Sequence, residues 1–268
     1  MKSLLLFIAC GLLAGCSTGN LTPAVPRVPE GFISTGLNDH GLEEYRHEPT
    51  GMVFILIPSG TFLMGTAEGN GEESESPVHA VKIDAFLLAK YEVTQGVWQK
   101  IMDSNPSYFK TGDNHPVEQV SWTDCDGFCR KTGLRLPSEA EWEYACRAGA
   151  GPDYIWEKDR GNDYAQYGHS WPKGHFETGL KKPNNFGLYD MIGNVWEWCN
   201  DYYDPAYYSH SPESNPQGPE EGERRALRGG SWWYLDYYLR SSYRTGYVPG
   251  CFNDDTGFRC AFSLVNEK

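Results

Sequence analysis

The sequence predicts a mixed fold of short strands and short helices in which irregular loops carry much of the chain. Three observations lead there. Few segments keep a helical period for long; several runs of four to eight residues read as strands; and residues 150–185 and 201–224 are rich in Gly, Pro, Asn and Tyr without any period. Loops that long in a compact domain tend to be functional or externally supported.

Lys2 precedes an apolar run from Leu4 to Leu13 that ends in Leu13-Ala14-Gly15-Cys16. The run is shorter than the ~20 residues of a membrane span, and small residues before a cysteine fit lipoprotein processing. Residues 1–15 are therefore expected to be a signal peptide and Cys16 the lipidated first residue, attached to the membrane by its acyl chains. An ordinary secretory peptide is the other reading, and both take the chain out of the cytoplasm. The expected location is the bacterial cell envelope, periplasmic or surface-facing, with Ser17 after Cys16 favouring the outer membrane in a Gram-negative source. Residues 16–40, with Pro23, Pro26 and Pro29, read as a flexible tether. Residues 41–268 show no dividing linker and no internal repeat, so they read as one domain.

Within that domain, Met52–Ile57 reads as a buried strand, with Thr61–Met64 as its returning partner and His79–Phe86 as a further strand of period two. Thr94 is expected to cap a helix through Met102, with Val97, Trp98 and Ile101 on one face. Thr123 is expected to cap a second through Lys131, stopped by Gly133. Ser138-Glu-Ala-Glu141 is a capping box opening a third helix that turns Trp142 and Cys146 inward. Arg228–Trp232 and Gly257–Phe262 read as late strands whose glycines allow close backbone approach.

Acidic residues number 36 against 23 basic, and removing residues 1–15 takes away only Lys2, so the net charge moves from -13 to -14. Nucleic acid, which needs basic patches, is not an expected partner. Of eight cysteines, Cys125, Cys129, Cys146, Cys199, Cys251 and Cys260 lie in the domain. An exported chain can keep them as disulfides, and no CxxC or CxxCH motif directs them to zinc or haem.

Gly187–Trp198 combines a turn, two carboxylates and two tryptophans. Asp190 and Glu197 at its ends, with carbonyls turned inward around Gly193 and offered by Val195, match the oxygen ligands that Ca²⁺ takes at ~2.3–2.6 Å. From spacing alone, Asp190 reads equally as a turn cap and Glu197 as a solvated charge.

Taken in order, Phe62-Leu-Met-Gly65, Glu92-Val-Thr94 with Trp98, Pro116-Val117 with Val120-Ser-Trp122, Arg135–Ala145, Gly187–Trp198, Arg228–Trp232 and Gly257-Phe-Arg259 resemble the formylglycine-generating enzyme family, also called the sulfatase-modifying-factor domain. The resemblance implies an irregular, loop-rich α+β fold, related to C-type lectins and stabilised by calcium. It implies calcium ligands at Asp190, Gly193, Val195 and Glu197, two by side chain and two by carbonyl. Trp196, Ser231 and Asp255 match active-site positions and form the candidate cleft. It further implies a disulfide between Cys129 and Cys260, and Cys251 is the nearest available partner for Cys146; Cys125 and Cys199 are left as a third bridge or as free thiols.

The family's enzymes convert a sulfatase cysteine to formylglycine with O₂ and copper held by two cysteines shortly after the segment matching Gly229–Ser231. Here Trp232–Arg244 contains no cysteine, and Tyr or Ser cannot replace the soft thiolates Cu(I) selects. Copper is therefore not expected, and no catalytic residue is assigned. His79, His115, His169 and His175 are scattered and form no readable triad. Three functions follow as expectations: a divergent oxidoreductase-like or non-catalytic lipid-anchored member; a surface module that presents Tyr202, Tyr203, Tyr207, Tyr208, Trp232 and Trp233 to a peptide, protein or glycan; and an active formylglycine-generating or pyoverdine-maturation-like oxidase. Oligomeric state is left open.

Overall fold

Short apolar runs broken by turns build the strands in chain order. In the computed structural model, which describes residues 28–151, 154–156 and 160–264, β1 (Phe32–Leu37), β2 (Glu43–His47) and β3 (Val53–Ile57) form an antiparallel meander. The expected signal peptide, Cys16 and the first part of the tether lie outside the described residues. β1 falls inside the expected tether, so residues 32–37 are strand instead; only Phe32 of the six is buried, and one buried residue leaves little alternation to read.

β4 (Gly60–Met64) pairs with β5 (His79–Ile83), and not with β3 as its position after a turn predicts. β6 (Phe86–Ala89), separated from β5 by Asp84-Ala85, takes the place beside β3. It is buried at all four residues, which suits a central strand. The last strand, β11 (Ala261–Ser263), closes this sheet in the order β1-β2-β3-β6-β11.

Helices occupy the middle of the chain. α1 (Gln95–Met102) is capped by Thr94, whose hydroxyl accepts from Val97 N. α2 (Trp122–Thr132) is capped two residues earlier than expected, by Ser121: Ser121 and Asp124 form a reciprocal capping box, and Gly133 ends it at φ 74°. α3 (Glu139–Arg147) opens on the expected Ser138 and Glu141 box. α4 (Gly161–Tyr164) is a single turn in the otherwise irregular stretch that follows. β7 (Trp196–Tyr202), β8 (Arg225–Arg228), β9 (Arg244–Tyr247) and the two-residue β10 (Thr256–Gly257) make a second sheet, ordered β10-β7-β8-β9.

Two apolar clusters fill the interior. One gathers Ile57, Val81, Trp142 and Leu239; the other gathers Phe54, Trp98, Phe128, Trp198 and Phe258, with Trp98 and Phe128 stacked at 5.5 Å. Between the elements run buried Arg–Glu pairs. Glu143 of α3 meets both Arg147 and Arg228; Glu139 binds Arg244 at 2.6 Å; Arg240 chelates Glu75 at 2.6 and 2.7 Å. Among the described residues, no helix is long and apolar enough to cross a membrane.

Candidate functional site

The loop that leads into β7 is built as its sequence requires. Gly193 has φ 81°, and a Cβ there would stand 2.5 Å from the Gln166 carbonyl oxygen, so no other residue fits without moving backbone. Asp190 also adopts a left-handed φ of 52°, a region that Asp and Asn tolerate better than most. Both expected side-chain ligands are buried, Asp190 at 3% exposure and Glu197 at 1%. Glu197 is engaged by protein: Arg259 chelates it, with Nη2 at 2.6 Å and Nε at 2.7 Å, and the Trp142 indole N–H donates to it at 2.7 Å. Asp190 accepts from Gly179 N at 2.6 Å.

Sequence reasoning missed the third acid. Glu92 is buried here, accepting from Asn194 Nδ2 at 2.7 Å and from Val195 N at 3.2 Å. Arg259 is bonded to Glu197 and lies close enough to Glu92 and Asp190 for its charge to act on both. Burial, then the charge of Asp190, pushes Glu92 well above the ordinary carboxylate range, and burial pushes Asp190 up to about 6. Glu197 has its oxygens engaged by Arg259 and Trp142, so a cation such as Ca²⁺ would have to compete with those partners for it.

The candidate cleft residues come together. Ser231 Oγ donates to Asp255 Oδ2 at 2.8 Å, and Trp196 N donates to the Asp255 carbonyl at 2.8 Å, where β7 meets β10. Ser231 and Trp196 are buried, and the Trp196 ring packs edge-on to Tyr234 at 5.3 Å. Asp255 faces a cavity of about 260 Å³ walled by Trp171, Trp232, Trp233 and Asp254. Burial raises the carboxyl of Asp255, against the Ser231 and Thr256 hydroxyls that lower it. A larger open cleft of about 680 Å³ adjoins and shares Tyr247 and Asn253. Of the six aromatic residues expected to be presented for recognition, Trp232, Tyr207 and Tyr208 are core residues and Trp233 is 51% exposed. Tyr202 and Tyr203 are half-buried against Arg225 and Arg244.

Two of the four scattered histidines meet. His115 Nδ1 and His175 Nδ1 are 3.1 Å apart, and His175 Nε2 reaches the buried Glu118 at 3.4 Å. Burial, then His175, lowers the His115 imidazole. Glu118 also accepts the Tyr108 and Phe109 amides, so it acts as an anchor for that loop. Sixty residues between the two rings hide the contact from any motif. Among the described residues, no group of three or more His, Cys, Asp or Glu is arranged to hold a metal.

The six domain cysteines are free thiols in this structure. Cys129 and Cys260 face each other with their sulfurs 3.8 Å apart. Cys146 is buried, 4.0 Å from the Met191 carbonyl, whereas Cys251 is exposed on the wall of the larger cleft, so the expected pairing of these two is not formed. Cys251 follows β9 in an exposed turn, whereas Cys146 is a buried residue of α3.

A family model described as the sulfatase-modifying factor enzyme 1-like domain matches residues 41–264. The formylglycine-generating enzyme of Streptomyces coelicolor is 31% identical over 281 residues, covering 77% of this chain and 88% of that one. The serine/threonine-protein kinase pkn1 of Chlamydia pneumoniae is 34% identical over 83% of this chain, which spans 40% of that protein's length. Among solved structures, PvdO from Pseudomonas aeruginosa superposes with a TM-score of 0.72 at 26% identity, covering 88% of this chain and all of that one (100%).

Proposed function

Since the chain belongs to the family of sulfatase-modifying factor enzyme 1-like domains, we propose that it is an exported, lipid-anchored member whose cleft binds a ligand without copper chemistry. One observation carries this reading: among the described residues, the walls of the two adjoining cavities hold one thiol, Cys251, and otherwise aromatic, small, apolar, hydroxyl, amide and carboxylate residues with one arginine, Arg224. Cu(I) needs soft sulfur donors, and one exposed thiol is half of a pair. Ser231 and Asp255 orient each other at the cleft, and no histidine base is bonded to Ser231. In the same reading, Asp190 and Glu197 with the Gly193 and Val195 carbonyls hold Ca²⁺ as a structural ion, and Cys129 pairs with Cys260 after export.

The mature domain, incubated with Cu(I) and given a Cys-x-Pro-x-Arg peptide and O₂, should produce no aldehyde, while elemental analysis after removal of unbound metal finds calcium and no stoichiometric copper. An aldehyde product, or copper held by two sulfurs in X-ray absorption, would overturn the assignment. The anchor is read separately: Cys16→Ala should move the protein from the membrane to the soluble envelope fraction, and unchanged membrane retention would refute lipidation.

A further inference from the structure

The smaller cavity has a composition that selects its ligand by charge. Trp171, Trp232 and Trp233 line it, Tyr247 and Asn253 are shared with the open cleft, and Asp254 and Asp255 supply two carboxylates. Among the described residues, no lysine or arginine lines it. That absence of basic groups stands out in this fold, where Glu75, Glu139, Glu143 and Glu197 are each held by a buried arginine. Asp255 is instead bonded to neutral hydroxyls, those of Ser231 at 2.8 Å and Thr256 at 3.2 Å.

We propose that this cavity binds an organic cation, a substituted ammonium group, between its indole rings and its aspartates. Aromatic faces attract a weakly hydrated cation through their quadrupole, while a hydrated metal ion gains little from them. Size agrees: about 260 Å³ is below the ~300–1,000 Å³ of sites that enclose a drug-sized molecule, so the cavity takes a head group. The rest of the ligand then runs past Tyr247 and Asn253 into the open cleft, toward Arg224 at its wall. Trp171 and Trp233, 54% and 51% exposed, give the cavity its open side, whereas Trp232 is fixed in the core, edge-on to Phe109 at 5.6 Å. This inference rests on the cleft being a binding site and deepens it.

The test uses the mature lipid-free domain and follows tryptophan fluorescence and calorimetric heat on titration with tetramethylammonium, choline, the neutral carbon isostere 3,3-dimethylbutanol, and a short peptide carrying trimethyllysine. Choline and tetramethylammonium should saturate, with the isostere at least about tenfold weaker. Trp233→Ala and Asp254→Asn, on half-exposed residues, should each weaken choline several-fold while leaving the circular dichroism spectrum unchanged. Tighter binding of the peptide than of choline would place the ammonium on a protein side chain; the reverse would place it on a small metabolite; both uphold the chemistry. Equal affinity for choline and its isostere would overturn the inference. So would saturation by neutral sugars with no response to cations, although the cleft would survive as a binding site. No response to any of these probes would sink the inference, and aldehyde formation from the sulfatase peptide would separately sink the reading beneath it.

Discussion

Glu143 shows why single residues of the motif Arg135–Ala145 carry so much of this fold. It is fully buried, accepts from the Gly65 amide at 2.9 Å, and meets two guanidiniums. The guanidiniums, Arg147 first, hold its carboxyl below the usual range against the opposing effect of burial. A buried charge kept in this way is costly to strand, by about 3–5 kcal/mol, even where the pair itself adds little net stability. His47 illustrates the opposite case, a basic group kept neutral. It is 4% exposed, packs against Phe32 and bonds only Thr50, and burial lowers its imidazole from the ordinary 6.5 to about 4. Between those values the unfolded chain takes up a proton that the folded chain refuses, so folding stability is full above pH 6.5 and falls as pH drops toward 4. The expected loss is about 3 kcal/mol across that window. Buried Glu92 and Asp190, with raised carboxyls, act in the opposite sense nearby, so the difference between wild type and His47→Gln is the clean measure. Urea titrations at pH 7.0, 5.5 and 4.5 should show the wild-type advantage shrinking; a difference independent of pH would refute the assignment. Motif residues such as Glu143, Arg228 and Arg259 were legible as a resemblance, but their partners were not. Glu143 and Arg228 stand 85 positions apart, and no local period encodes that pairing.

At the scale of elements, the sequence was most legible where a helix end declares itself chemically. The Ser138 box was readable because Ser and Glu stand at the two positions that satisfy the free amides of a first turn. At α2 the hydroxyl of Thr123 suggests a cap, but Ser121 with Asp124 performs that function. Ser121→Ala should therefore cost about 1 kcal/mol and Thr123→Ala far less, by equilibrium unfolding. Equal effects would mean that the cap hydrogen bonds contribute nothing distinctive. Strand partners were less legible, for a physical reason. β4 follows β3 across a Pro-Ser-Gly turn, and its alternation is equally compatible with β3 or β5. The choice is made by β6, whose four buried residues claim the place beside β3, a tertiary competition that a local pattern does not contain. The two-residue β10 is shorter still, yet its pairing with β7 is what sets Asp255 against Trp196 and Ser231. The cleft residues could be named from resemblance alone, whereas the cavity that Asp255 faces needed Trp171 and Trp233 to be brought in from separate loops.

For the molecule as a whole, the closing contact is between α2 and the segment that enters β11. Cys129 and Cys260 sit there, 131 positions apart, both buried, with sulfurs at 3.8 Å. Burial, followed by the neighbouring Cys129, raises the Cys260 thiol well above its ordinary value, so in a reducing medium the pair packs as two inert apolar groups. Export changes the balance, because an oxidising compartment lets thiols this close join with little backbone movement. A bridge across so long a loop restricts the unfolded chain strongly, and bridges of this kind contribute about 2–5 kcal/mol. Protein recovered from the envelope and alkylated under denaturing, non-reducing conditions should therefore leave Cys129 and Cys260 unlabelled and linked in a peptide map. Cys251 should label in the native state, and Cys146 only after unfolding, as their exposures require. Reduction should lower the thermal midpoint, and Cys260→Ser should reproduce that loss without a further effect of reductant. Recovery of both thiols fully alkylated would show that export leaves this contact unoxidised, and the tertiary closure would then rest on non-covalent contacts, the packing of Phe128 on Phe258 and the pairing of β11 with β6 among them.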